Sequence, residues 1–167
     1  WYLQQAKYPG VQFINAGRSG RKTADKKELL PILQKYSDAD YYLIFLGVND
    51  LKDGNDAMVN SCIENMQWMV DNIHAADAKA KIVILSPSNI NLKTMAPVNV
   101  TKKYNANTQQ SLFKLEKKYK ALAKKDHLGF ISLLHTVSKP NYADGLHPNL
   151  IGQQQIEVAV WKGLDKL

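Results

Sequence analysis

The residues best suited to do chemistry in this sequence are Asp144 and His147, in the stretch Asp144-Gly145-Leu146-His147-Pro148-Asn149. A carboxylate beside one ring nitrogen of an imidazole fixes the tautomer. The other nitrogen is then left to take a proton from a nucleophile. The same spacing also suits a loop aspartate and a helix-capping histidine with no chemistry. Two stretches upstream add hydrogen-bond donors. Asn49, in Gly47-Val48-Asn49-Asp50, carries a side-chain amide, and Gly17, in Asn15-Ala16-Gly17, has a backbone N–H that a ligand oxygen can approach closely. A pair of such donors is what a developing oxyanion needs.

The elements that must position these residues follow from the apolar pattern. Short β-branched or apolar runs predict strands at Val11–Ile14, Tyr41–Leu46, Ile82–Leu85 and Gly129–Leu133. The unbroken run Tyr41–Leu46 is the mark of a strand covered on both faces. Helices are expected over 25–36, with Pro31 in a first turn or at a kink, over 56–75 and over 104–125. A last helix should begin after Pro148, which suits a first turn, with Ile156, Ala159, Val160 and Leu164 on its buried face. Residues 2–8 read as the tail of another helix, ended by Pro9-Gly10, and residues 88–101 as a long polar loop. Strands alternating with helices imply an α/β domain with a parallel sheet. With no linker and no repeat, residues 1–167 read as one domain. Each candidate stretch follows a strand, and open parallel sheets bind ligands beyond the carboxyl ends of their strands. The three stretches are therefore expected to converge on one site.

Composition narrows the partners. The 167 residues are 45% hydrophobic and 22% charged, with a formal net charge of +7, ordinary values for a globular protein. The lysines from Lys114 to Lys125 share a helical stretch with Leu112, Leu115, Tyr119 and Leu122 and read as its solvated face. No aromatic-rich basic motif points to nucleic acid. Cys62 is alone, on a helical apolar stripe, so neither an intrachain disulfide nor a cysteine metal cluster is expected. Asp50, Asp53 and Asp56 lack the spacing of a calcium loop and read as a cluster capping the helix that starts near Asp56. Gly20-Arg21-Lys22-Thr23 follows a strand but lacks both glycine positions of a phosphate loop. No metal or cofactor is implied, and no apolar stretch is long enough to span a bilayer.

Asn15-Ala16-Gly17, Gly47-Val48-Asn49-Asp50 and Asp144-Gly145-Leu146-His147-Pro148, in that order, resemble the second, third and fifth blocks of the SGNH (GDSL) hydrolase superfamily. The resemblance implies a flavodoxin-like three-layer fold and an esterase acting on acyl chains, acetylated sugars, lysophospholipids or thioesters. It casts His147 as general base, Asp144 as its orienting carboxylate, and Gly17 and Asn49 as oxyanion donors. It is compatible with export. The departure lies in the first block, since no Gly-Asp-Ser occurs in the chain. In the flavodoxin-like order 2-1-3-4-5 the first strand lies between the second and third, so Val11–Ile14 and Tyr41–Leu46 would flank a gap one strand wide. The expectation is an N-terminally incomplete domain whose nucleophilic serine precedes Trp1, with Ser19 a structural serine in a turn. The alternative from another class is a catalytically inactive SGNH-like module that binds an ester or glycan without hydrolysing it.

Overall fold

The computed structural model describes residues 8–167. Three strands, β1 (Tyr41–Phe45), β2 (Lys81–Leu85) and β3 (Gly129–Ile131), form a parallel sheet in the order β1-β2-β3. Tyr41 lies opposite Lys81, and Val83 opposite Gly129. The helices are α1 (Leu30–Lys35), α2 (Asp56–Ala76), α3 (Pro97–Thr101), α4 (Ala106–Lys125) and α5 (Leu150–Leu164). Each of the three long ones begins on an asparagine. The Oδ1 atoms of Asn55, Asn105 and Asn149 accept from the N–H groups of Met58, Thr108 and Gly152, satisfying donors that a helix start leaves open.

Side chains alternate across the sheet and divide the core in two. Tyr42, Ile44, Ile82 and Ile84 join Val59, Cys62, Met66, Leu112, Leu115 and Tyr119 of α2 and α4. Val83, Leu85, Ile131 and Leu133 pack against Ile156, Ala159, Val160 and Leu164 of α5 on the opposite face. Right-handed crossovers between adjacent parallel strands put successive helices on one face, which is why α2 and α4 lie side by side and run parallel. Their alignment shows in three lysine contacts at one sequence offset: Lys114 with Asp56, Lys118 with Asn60 and Lys125 with Gln67, each 58 positions apart. Part of the lysine face expected to meet only solvent thus staples α4 to α2.

Several expectations are corrected. Val11–Ile14 is not a strand: it is irregular, and Val11 is 44% exposed. No described strand lies beside it, and an apolar tetrapeptide does not hold extended structure without a ladder partner. The sheet therefore has three described strands, and β1 is an edge. Nor is β1 covered on both faces. Tyr42 and Ile44 are buried, while Tyr41 and Phe45 are 41% and 45% exposed, because α5 reaches Leu43 but not its neighbours on that face. The helix expected over 25–36 is split into a 3-10 segment, Thr23–Leu29, and α1, with Pro31 in the first turn of the latter. Pro148 stands two positions before α5, ahead of its cap Asn149, and forms an isolated antiparallel bridge with Tyr142. β3 stops at Ile131, and the loop over 88–101 contains the 3-10 turn Leu92–Thr94 and α3. The helix tail expected over residues 2–8 falls, apart from Tyr8, outside the described residues. Among the described residues no helix is long and apolar enough to cross a membrane.

Candidate active site

The Asp144 turn follows β3 at the carboxyl end of the sheet and is tied by its own backbone. Asp144 Oδ1 accepts from the N–H groups of Leu146 (3.0 Å) and His147 (2.7 Å), and Oδ2 lies 2.8 Å from His147 Nδ1. Burial works to raise the Asp144 pKa, but the bonds donated by His147 and Leu146 outweigh it and hold the carboxyl well below the usual carboxylate range. An ionised carboxylate on Nδ1 leaves Nε2 as the free nitrogen, and the His147 side chain is 69% exposed. Gly145 makes the turn possible. Its φ is +79°, and an added Cβ would lie 2.5 Å from Met95 Cα and 2.7 Å from the Asn91 oxygen.

That crowding shows what the loop over 88–101 does. Asn91 N–H donates to the Gly145 oxygen (2.7 Å), Ala96 N–H to the Asp144 oxygen (3.0 Å) and Asn99 Nδ2 to the same oxygen (3.2 Å). The loop straps the Asp144 turn in place. Asn99 is 2% exposed, so its amide is committed to this contact.

The Asn49 turn follows β1 at the same end of the sheet. Gly47 opens it with φ +128°, where an added Cβ would come 2.6 Å from Leu115 Cδ2. The Asn49 side chain is held at both ends: Nδ2 donates to the Arg21 oxygen (3.1 Å), and Oδ1 accepts from Tyr104 Oη (2.7 Å). Asp50 does not cap α2, which starts on Asn55. Its carboxylate accepts instead from Thr23 N–H (2.9 Å) and Oγ1 (2.6 Å), while Asn65 Nδ2 donates to the same Oγ1. Burial pushes the Asp50 pKa up despite these bonds. Asp53 accepts from the amides of Asn105 and Asn107, and Asp56 pairs with Lys114. The three aspartates expected to form one cluster thus do three separate jobs.

Gly17 is exposed, and its N–H donates to Asn15 Oδ1 (2.9 Å). Its turn is anchored by arginines. Arg21 Nη1 donates to the Ala16 oxygen (2.5 Å) and Nη2 to Glu28 (2.6 Å), which also binds Arg18. The three stretches are laced together in sequence: Ala16 to Arg21, Arg21 to Asn49, Asn49 to Tyr104, Tyr104 N–H to the Asn99 oxygen, and Asn99 to Asp144. Sequence reasoning missed Tyr104 and Asn99, since no spacing rule links them to partners 55 and 45 positions away.

Other nucleophiles are differently placed. Ser86 is fully buried, and its Oγ accepts from Leu133 N–H. Ser19 is exposed in the Gly17 turn, and Ser132 lies just beyond β3 rather than within a strand. Burial, with the nearby Asp50 charge adding to it, pushes the Cys62 thiol up to about 12, so it behaves as a small core hydrophobe. Among the described residues no group of histidine, cysteine or carboxylate side chains could hold a metal ion. Cavities of about 510 and 350 Å³ lie elsewhere, the first against α5 and the second among Tyr41, His74 and His127 near the amino ends of the strands.

A parallel α/β sheet with a paired aspartate and histidine beyond its carboxyl edge defines a class, and the sequence agrees. The profile of the GDSL-like Lipase/Acylhydrolase family matches residues 2–155, and the chain belongs to that family. Among solved structures it is similar to a carbohydrate acetylesterase family member from Sinorhizobium meliloti (18% identity, TM-score 0.81, covering 97% of this chain and 82% of that one). It is also similar to the aryl esterase of M. smegmatis (20% identity, TM-score 0.77, covering 93% and 79%). A third is a lipase/acylhydrolase from Enterococcus faecalis (21% identity, TM-score 0.75, covering 96% and 82%). At these identities the likeness is one of fold. No curated protein matches the chain by sequence.

Proposed function

We propose that the protein is a serine esterase that cleaves a carboxylic ester through an acyl-enzyme. The observation that carries this reading is the 2.8 Å pairing of Asp144 with His147 Nδ1, with the ring otherwise open to solvent. A serine Oγ adds to the ester carbonyl while His147 Nε2 takes its proton. His147 returns that proton to the departing alcohol, and water then repeats the sequence on the acyl-serine. Asn49 Nδ2 and Gly17 N–H are the donors to the oxyanion, Gly17 after giving up its bond to Asn15. The reading requires a serine hydroxyl within hydrogen-bond reach of Nε2. An acetyl ester of a carbohydrate is the substrate class favoured. His147 lies at an exposed rim, which suits a short acyl group on a solvated alcohol, and a fold relative is a carbohydrate acetylesterase family member.

One observation favours a second reading, an ester- or glycan-binding module without hydrolysis: among the described residues no serine hydroxyl is bonded to His147. The test is hydrolysis of p-nitrophenyl acetate and of acetylated oligosaccharides by the full-length protein and its His147→Ala variant. Turnover lost in the variant supports the esterase. Equal rates in both, or binding of the oligosaccharide without acetate release, leaves the binding module.

A further inference from the structure

We propose that Tyr104 is a positioning residue for Asn49, its hydroxyl locking the side-chain amide in the orientation that presents an N–H to the site. The inference rests on the esterase reading and assigns to its donor pair a partner outside the sequence blocks. Tyr104 is 3% exposed, just ahead of α4, and its Oη donates to Asn49 Oδ1 at 2.7 Å. On the other side Asn49 Nδ2 donates to the Arg21 carbonyl at 3.1 Å. A carbonyl only accepts, so the flipped amide would set Oδ1 against the Arg21 oxygen. With the oxygen end and one N–H both engaged, the planar geometry of the amide fixes the direction of the second N–H. Among the described residues nothing accepts that second N–H, which leaves it for a ligand oxygen.

The hydroxyl also acts on the strength of the donor. A hydrogen bond received at an amide oxygen polarises the group and makes its N–H a better donor, and such cooperativity is larger away from water. Burial, with Asp50 nearby, raises the Tyr104 pKa, so the phenol stays protonated at neutral pH and remains a donor. The ring itself is held. Tyr104 N–H donates to the Asn99 oxygen at 3.1 Å, and Lys52 Nζ sits 5.5 Å from the ring centroid. Because Asn99 also holds the Asp144 carbonyl, the six residues from Asn99 to Tyr104 set the Asn49 donor and the Asp144 turn at a fixed relation.

The test combines spectroscopy with kinetics on the full-length protein. In a ¹⁵N-correlated spectrum the side-chain amide of Asn49 is assigned by its loss in Asn49→Ala. In the wild type one of its protons should exchange slowly with solvent and the other quickly. In Tyr104→Phe, which removes one oxygen but leaves the Arg21 acceptor, the difference between the two rates should narrow. With p-nitrophenyl acetate, Tyr104→Phe should lower kcat by roughly 10-fold and leave KM within about 2-fold. It should cause no further loss in the Asn49→Ala background. Equal exchange of the two wild-type protons overturns the inference even if Tyr104→Phe does not fold. Unchanged kcat in a folded variant, or the same fold-loss in both backgrounds, overturns it as well. A wild-type protein that turns over no ester defeats the esterase reading, and the catalytic part of this inference with it. The amide spectrum then still judges the geometry.

Discussion

The Asp144 turn and the Gly17 turn lie within one hydrogen-bonded network but are held by opposite means. Asp144, Gly145 and His147 are fixed by short backbone bonds, by a glycine at positive φ and by a strap of backbone donors from residues 91–99. The Gly17 turn is exposed and hangs from side chains: Asn15 on its N–H, Arg21 on the Ala16 carbonyl, and Arg18 and Arg21 on Glu28. Their carboxylates differ in the same sense. Asp144 is held ionised by the bonds it accepts, while Asp50, which anchors Thr23 beyond the Gly17 turn, has its pKa raised by burial. On the proposed esterase reading, the proton-relay half is built before a ligand arrives, whereas the donor half still has a bond to give up. A site so divided should lose activity abruptly through the first half and gradually through the second.

Substitutions can break or sharpen that contrast. His147→Ala should lower the rate of ester hydrolysis by at least about 10⁴-fold, measured with p-nitrophenyl acetate, and leave the melting temperature alone because the ring is exposed. Gly145→Ala attacks the same half through its backbone. The strain at φ +79° and the contact with Met95 should cost roughly 2–4 kcal/mol in urea unfolding. A loss within error would mean that the strap yields. In the donor half, Asn49→Ala should reduce kcat by about 100-fold, or about 2.7 kcal/mol. A reduction as large as that of His147→Ala would erase the distinction between the halves.

Acid separates the two carboxylates. Asp144 has a lowered pKa in the folded state, so its contribution to stability is full above the unfolded value of about 3.9 and is lost only as pH falls through the lower folded value. Asp50 is raised, so its ionised form opposes folding near neutrality, and that opposition is relieved as pH falls through its folded value. Asp144→Asn should therefore remove stability at pH 6 and flatten the profile below pH 4, by thermal melts across that range. Asp50→Asn should cost less stability at pH 6 than at pH 4, and a shallower acid loss than wild type would reverse this assignment. The smallest effect is expected at Lys114→Ala. Its bond to Asp56 is solvent-exposed on both sides, and the melting temperature should not move measurably.

What the sequence revealed was local. Apolar runs such as Ile82–Leu85 announce strands because a buried strand needs both faces apolar, and Asp144 and His147 announce a pairing because three positions of loop bring them together. Val11–Ile14 misled because a strand is a relation between segments, and its composition says nothing about a neighbour. Tyr41–Leu46 misled in the same way, since apolar residues at 41 and 45 do not create the helix that would cover them. Tyr104 and Asn99 were invisible for a related reason: each bonds to a residue far off in the chain, Tyr104 to Asn49 across α2 and β2, and Asn99 to Asp144 across α4 and β3. The loop over 88–101, which reads in the sequence only as long and polar, spends its backbone donors on the Asp144 turn.

The asparagines that open α2, α4 and α5 have a consequence for the conditions under which the protein keeps its shape. Aspartate is as good a cap at neutral pH, but it titrates, and part of its benefit comes from its charge on the helix dipole, which salt screens. An amide does neither. The cap bonds themselves are therefore indifferent to acidity and ionic strength, and what titrates at these starts is the Asp56–Lys114 pair on the first turn of α2 and Asp53 beside the Asn105 cap. Secondary structure should outlast the site as either is pushed to an extreme: far-ultraviolet circular dichroism should hold its amplitude at a pH where the Asp144 turn has already let go.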